Sequence, residues 1–274
     1  MRYPLTSEQV ATYQEQGFLV IPDFLDVEEL ARWRRSTQEA VDQRIAEAQG
    51  KTFIEALSNA VDPESYYSQV FTQCLKLADT HADMRALLLD PRLGEMAATL
   101  AGVDGIRIWH DQALFKPPFG NPTAWHLDDP YWSFSSRQAI SLWLALDDAT
   151  LGNGCMWYIP GSHKTASYEN VGIGPNLADL FKVYPEWRRV APVACPCPAG
   201  AAVFHNGLTA HGAGANMTNQ PRRAMTCAYM PDGSTFNGKR NILPEAYFQS
   251  LQIGDLLQDD TVNPLVWSKN GSKN

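Results

Sequence analysis

Six histidines are spread along the chain, and one of them has a carboxylate at a useful spacing. In Thr123-Ala124-Trp125-His126-Leu127-Asp128, the imidazole and the carboxylate stand two residues apart. On a strand such residues project to one face, so His126 and Asp128 could bind a single ion together. A second imidazole would complete a facial set of two histidines and one carboxylate, which holds Fe(II) and leaves three octahedral sites open. A lone His-x-Asp triplet occurs often by chance and decides little. His211, in Leu208-Thr209-Ala210-His211-Gly212, lies far enough along to come from a late strand facing the first motif. Arg222, soon after Pro221, falls where the chain could return on the next strand. A guanidinium there can hold a dicarboxylate end-on through two parallel hydrogen bonds.

Each residue also has an ordinary explanation. His126, Asp128 and His211 could be plain strand and turn residues, and Arg222 a surface ion-pair partner with Arg223 as the working arginine. His163 follows the turn Pro160-Gly161-Ser162 and reads as a structural loop histidine. His205 and His110 read as packing groups or groups behind the site, and His81 as solvated.

The elements that must position these residues change character along the chain. The first hundred residues look helical. Thr6-Ser7-Glu8-Gln9 has the form of a capping box, and Gly17 is placed to stop that helix. Phe18-Leu19-Val20-Ile21 suits a short strand. Asp26 opens a second helix, and another helical pattern covers Met84 to Leu100, broken at Asp90-Pro91 and closed by Gly102. From Ile106 to Met230 short β-like runs alternate with Gly, Pro, Asn and Asp, the clearest being 106–109, 139–146, 156–159, 201–204 and 224–230. Strands without alternating helices favour an antiparallel sandwich or barrel. The remainder is a polar tail with Trp267 as an isolated apolar anchor. The chain is read as one domain over 1–274: a helical part over about 1–103, a β core over about 104–232 and a tail over 233–274.

Composition narrows the function classes. The chain has 274 residues, 45% hydrophobic, with 22 basic against 30 acidic residues and a net charge of −8. That balance offers no basic stripe for a phosphate backbone, so no nucleic-acid partner is expected. No apolar run approaches the roughly 18 residues that a membrane span needs, and Met1-Arg2-Tyr3-Pro4 lacks the layout of a signal peptide. A cytoplasmic location is therefore expected. Cys74, Cys155, Cys195, Cys197 and Cys227 include no CxxC pair and read as reduced, buried thiols.

From about Trp109 to Met230 the sequence resembles the phytanoyl-CoA dioxygenase family. The resemblance is carried by Trp125-His126-Leu127-Asp128, by Asn153-Gly154-Cys155-Met156-Trp157-Tyr158-Ile159-Pro160-Gly161-Ser162-His163, and by His211-Gly212 through Arg222. Gly17-Phe18-Leu19-Val20 matches the usual start of the family. The resemblance implies a mainly β fold, a double-stranded β-helix (jelly-roll) core with N-terminal helices packed on it. It also implies non-haem Fe(II), with 2-oxoglutarate and O2 as cosubstrates. Carried over by residue, His126, Asp128 and His211 would ligate iron, and Arg222 would bind the distal carboxylate of 2-oxoglutarate. Trp143 falls at a cosubstrate-side aromatic, and Gln112 would contact cosubstrate or substrate. Family members often carry Ser two residues after the distal histidine, where this chain has Ala213.

The implied activity is hydroxylation of a C–H bond in a small molecule, with release of succinate and CO2. Asp128 fills the place that halogenating relatives leave open for chloride, which favours hydroxylation. A cupin-type metalloenzyme that does not use 2-oxoglutarate and a catalytically silent binding protein on the same fold are the competing readings. Trp109, Trp125, Tyr131, Trp132 and Phe134 gather near the metal motif and could line an apolar pocket or simply fill the core. For a CoA thioester, basic candidates at the pocket mouth reduce to Lys116, Lys164, Lys239 and Arg240. Residues 236–241 could form a lid over the site or an ordinary polar loop.

Overall fold

The computed structural model describes residues 1–47, 66 and 69–271. The N-terminal helices begin and end where their capping chemistry places them. In α1 (Ser7–Gln16) the Thr6 hydroxyl accepts from the Gln9 amide at 3.2 Å while the Gln9 side chain accepts from the Thr6 amide at 2.8 Å. Gly17, at φ 82°, ends the helix in the left-handed conformation and donates to the Tyr13 carbonyl at 2.7 Å. After β1 (Phe18–Ile21), Asp26 and Glu29 repeat the reciprocal cap at the start of α2 (Val27–Glu47). The later helical pattern is two helices, α3 (Ala82–Leu88) and α4 (Pro91–Ala101). The Asp90 carboxylate caps α4, Pro91 occupies its first turn, and Gly102 closes it at φ 70°. His81 is not simply solvated: its Nδ1 accepts from the Met84 amide at 3.2 Å and caps α3.

The β core is a jelly roll of two antiparallel sheets. The larger runs β1, β8 (Ala202–Asn206), β5 (Ile140–Ala145), β10 (Arg222–Pro231) and β3 (Gly105–Lys116). On the far edge of β3, β11 (Leu265–Ser268) pairs with one half and β2 (Thr72–Leu75) with the other. The smaller sheet runs β4 (Thr123–His126), β9 (His211–Ala213), β6 (Met156–Tyr158) and β7 (Val193–Cys195). The strands expected from apolar runs are all present. The short members β2, β7, β9 and β11 carry too little periodicity to stand out in sequence.

Both faces of the larger sheet are covered, so β5 is buried at every position. Ile140, Leu142 and Leu144 point outward with Phe204, Met225 and Tyr229 against the N-terminal helices, packing on Trp33, Leu88 and Met96. Trp143, Ala145, Val203 and Ala224 point inward against Met156, Tyr158 and Ala213 of the smaller sheet. The inward set of the larger sheet is where functional side chains can stand. The tail is less polar in its packing than in its composition. Val266 is buried on α4, where a Cβ at Gly94 would come within 2.7 Å of its Cγ1. Phe236, Leu243 and Leu257 form a cluster with Trp109, Trp132 and Phe134. Among the described residues, no helix is long and apolar enough to cross a membrane.

Candidate active site

Two strands of the smaller sheet bring the distant histidines together. His126 ends β4 and His211 begins β9, and the two are direct antiparallel partners with ring centroids 4.2 Å apart. Both rings are fixed in the same way: Nδ1 of His126 lies 2.8 Å from the Ala124 carbonyl, and Nδ1 of His211 lies 2.9 Å from that of Thr209. Each Nδ1–H therefore donates to backbone, leaving each Nε2 lone pair free to bind a metal. These nitrogens face Asp128 Oδ1 at 3.6 and 3.5 Å.

Asp128 reaches that point by a turn, not by the strand alternation expected from its spacing. β4 stops at His126, and Asp128 has helical backbone angles (φ −81°, ψ −53°). The amides of Asp128 and Asp129 both donate to the Gly207 carbonyl, at 3.0 and 2.9 Å. Leu127, between His126 and Asp128, is buried, and the Asn170 side chain clamps its amide and its carbonyl. The other carboxylate oxygen, Oδ2, accepts from Ser141 Oγ at 2.9 Å and from His205 Nε2 at 3.1 Å. His205 in turn meets the Tyr158 hydroxyl through Nδ1 at 3.2 Å. Oδ1 thus faces the histidines while Oδ2 is held from behind. Burial alone would push the Asp128 carboxyl up, but the facing His211, His126 and His205 outweigh it and hold the group well below the usual carboxylate range. Burial, followed by the charge of neighbouring His126, pushes His211 well below the usual imidazole range. A carboxylate and a neutral imidazole are the forms that bind a metal. The donor atoms of His126, Asp128 and His211 lie within 4.8 Å of one another, and this set could hold a divalent ion.

Arg222 opens the same cavity further along β10. It is 1% exposed, and one of its nitrogens, Nη2, donates to the Gly154 carbonyl at 3.2 Å. Its Nε and Nη1 are buried with no protein partner. The guanidinium stands 5.2 Å from the Trp143 ring centre. Burial pushes Arg222 down to about 10, so it remains charged at neutral pH. A buried cation with two unpaired N–H groups calls for an anion, and a carboxylate fits that fork. Arg223 points the other way and pairs with Asp147 at 2.9 and 2.8 Å, as strand alternation requires. Gln112 also lines the cavity, where its side-chain oxygen accepts from the Gln73 amide.

The cavity measures about 500 Å³. Tyr131 and Trp132 reach it, whereas Trp109 and Phe134 pack in the neighbouring core and Trp125 rests near Phe181. Asn241 of the 236–241 segment lines the rim. His163 lies elsewhere, with Nε2 at 3.3 Å from the Gln14 carbonyl. Ser141 and Tyr158 were given no role by sequence, and Lys116 was read only as a basic candidate at the pocket mouth. Ser141 stands two residues before Trp143 on one strand face and was legible in principle. Lys116 is not at the mouth: it is fully buried, directly opposite Arg222 across the β3–β10 pair, and donates to the Asn121 carbonyl at 2.6 Å.

The model of the phytanoyl-CoA dioxygenase family matches residues 13–224. The chain belongs to this family. Among its relatives, the methylphosphonate hydroxylase of Gimesia maris is 27% identical over 233 residues, 84% of this chain and 82% of that protein. The phytanoyl-CoA dioxygenase of Arabidopsis thaliana is 25% identical and covers 80% of this chain and 87% of its own. The crystal structure of the non-heme alpha ketoglutarate dependent carbocyclase SnoK from nogalamycin biosynthesis superposes with a TM-score of 0.76. It is 28% identical and covers 95% of this chain and 96% of that one. The epimerase SnoN, solved in complex with Fe3+, alpha ketoglutarate and nogalamycin RO, gives 0.73 at 26% identity over 94% and 97% of the two chains. The family's jelly roll is the fold seen here, and its iron and 2-oxoglutarate chemistry suits the donor set and the unpaired guanidinium.

Proposed function

We propose that the chain is a non-haem Fe(II)- and 2-oxoglutarate-dependent dioxygenase that hydroxylates a C–H bond of a small molecule. The observation that carries this reading is one cavity holding both the His126–Asp128–His211 donor set and the two unpaired N–H groups of Arg222. Iron and 2-oxoglutarate, when bound, supply the oxidising power: R–H, O2 and 2-oxoglutarate become R–OH, succinate and CO2. His126 and His211 offer Nε2 and Asp128 offers Oδ1, while Ser141 and His205 keep Oδ2 turned away. Arg222 neutralises the far carboxylate of the cosubstrate, and Trp143 covers that guanidinium. Gln112, at mid-strand beside Thr226, is assigned to the cosubstrate or substrate boundary. With Asp128 in the metal set, no site is vacated for a halide, so hydroxylation is favoured over halogenation. The chain works as one domain, since β11 of the tail completes the edge of β3. Five buried cysteines without a disulfide suit a reducing cytoplasm.

Anaerobic titration with Fe(II) and 2-oxoglutarate tests the reading through the weak visible charge-transfer band of the chelate. Wild type develops the band, His126→Ala loses it, and Arg222→Ala needs at least tenfold more 2-oxoglutarate. Iron binding without a band at any cosubstrate level would transfer the assignment to a cupin-type metalloenzyme. Failure to bind any metal would leave a binding protein on this fold.

A further inference from the structure

A five-carbon diacid held by Arg222 fills only part of a cavity of about 500 Å³. The rest lies toward the other end of the same strand faces. Along β10 the inward side chains run Arg222, Ala224, Thr226 and Ala228, and Ala228 pairs with Ser141 on one side and His110 on the other. At that end stand Trp132, whose ring meets His110 nearly edge-on at 6.4 Å, and the loop residues Ile173 and Ile242.

This end has a distinctive charge content. Among the described residues lining the cavity, Arg222 is the sole lysine or arginine and Asp128 the sole carboxylate. Both are engaged by the cosubstrate and metal roles assigned above. The basic groups that the sequence offered for the mouth, Lys239, Arg240 and Lys164, each have a partner already. Lys239 Nζ donates to the Pro130 carbonyl at 2.6 Å, Arg240 pairs with Glu245, and Lys164 with Glu15. Lys116 is shut inside beside Arg222. Lys76, whose charge reaches His110, does not line the cavity and stands 4.0 Å from Asp79. An anion entering the free part would therefore surrender its hydration with no lysine or arginine of the described lining left to pair with it, which is costly.

We propose that the substrate is an uncharged, largely apolar molecule of fused-ring size, seated between Trp132, Ile173 and Ile242 over Ala228, with its polar group toward His110. Phosphorus oxyanions, the substrates named for some relatives, and CoA thioesters are excluded by the same wall. Aromatic and branched walls with a few neutral polar groups are the usual setting for such ligands. The small Ala228 side chain leaves the room that a ring system needs.

This inference rests on the oxygenase reading, and its test separates the two. Protein loaded anaerobically with Fe(II) and 2-oxoglutarate is titrated with 2-naphthol, 2-naphthoate, methylphosphonate and octanoyl-CoA. Quenching of tryptophan fluorescence reports binding, and the chelate band reports the metal site independently. 2-Naphthol is expected to bind at least tenfold more tightly than 2-naphthoate and to perturb the band, with no saturable binding of the other two at millimolar levels. Ala228→Leu is expected to weaken 2-naphthol at least tenfold while the band persists. Ile242→Ala, at a half-buried loop position, should weaken it severalfold while the band persists. Tighter binding of any anionic probe, no binding of 2-naphthol to protein that shows the band, or indifference of 2-naphthol to both substitutions overturns the proposal. Absence of the band itself would instead overturn the oxygenase reading.

Discussion

Asp128 must present one oxygen to a metal and keep the other away, and two hydrogen bonds do this. Ser141 Oγ donates to Oδ2 at 2.9 Å and His205 Nε2 donates at 3.1 Å. His205 can donate there only with its proton on Nε2, which leaves Nδ1 to accept from the Tyr158 hydroxyl at 3.2 Å. Ser141→Ala removes one donor and little volume from a buried position of β5. A hydrogen bond to a charged group contributes roughly 1.5–3 kcal/mol, and loss of such a partner behind a ligand typically costs 10–100-fold in metal affinity. His205 still restrains the carboxylate, so Ser141→Ala is expected near the lower end, about tenfold weaker Fe(II) binding. Tyr158→Phe should weaken binding less, by a few-fold, because it acts through the His205 tautomer. Ser141→Ala combined with His205→Leu should lose more than the two single changes together, since Oδ2 then has neither donor. Anaerobic Fe(II) titration against a competing chelator measures wild type, the three single variants and the double variant. Wild-type affinity in Ser141→Ala, or strict additivity in the double variant, would refute the assignment of Oδ2 to a positioning role.

Gly154 holds φ +92°, and a Cβ there would meet the Gly214 carbonyl oxygen at 2.6 Å and Lys116 Cδ at 2.8 Å. Gly154→Ala is expected to cost about 2–4 kcal/mol in chemical denaturation and to weaken 2-oxoglutarate binding, because the Gly154 carbonyl anchors Arg222. Burial, and next the charge of Arg222, push Lys116 down to about 7, below its unfolded value near 10.4. The buried ammonium is therefore a full cost below pH 7 that disappears as pH rises past the unfolded value. The metal-free wild type should gain up to about 3 kcal/mol relative to Lys116→Met between pH 6.5 and 9.5, and a pH-independent difference in urea denaturation would contradict this. Ala213 lines the cavity where relatives often carry serine, and Ala213→Ser is expected to tighten 2-oxoglutarate a few-fold in the same band titration.

Local chemistry was readable from sequence wherever it was decided locally. The reciprocal cap at Thr6–Gln9, the helix start at Asp26, the stop at Gly17 and the break at Asp90-Pro91 rest on neighbouring atoms, and all appear at the expected residues. The donor types were readable as well, since the His126, Asp128, His211 and Arg222 motifs are distinctive together. Their convergence was not, because it depends on pairing register. Strand periodicity places His126 and Asp128 on one face, but the turn pinned by Gly207 is what delivers Asp128 to the histidines. The opposition of Lys116 to Arg222 arises from the β3–β10 register, and the inward turn of Arg222 against the outward turn of Arg223 follows from the same strand. The tail shows the same limit, since Trp267 reads as isolated until β11 is laid on β3. The sequence by itself determined which chemical groups were present and where the chain would cap, extend or turn, because those preferences act over a few bonds. Tertiary structure alone decided which oxygen of Asp128 faces the histidines, which arginine N–H groups stay unpaired and which wall of the cavity carries no charge. Those properties belong to residues distant in the chain, and only sheet pairing and burial bring them within reach of one another.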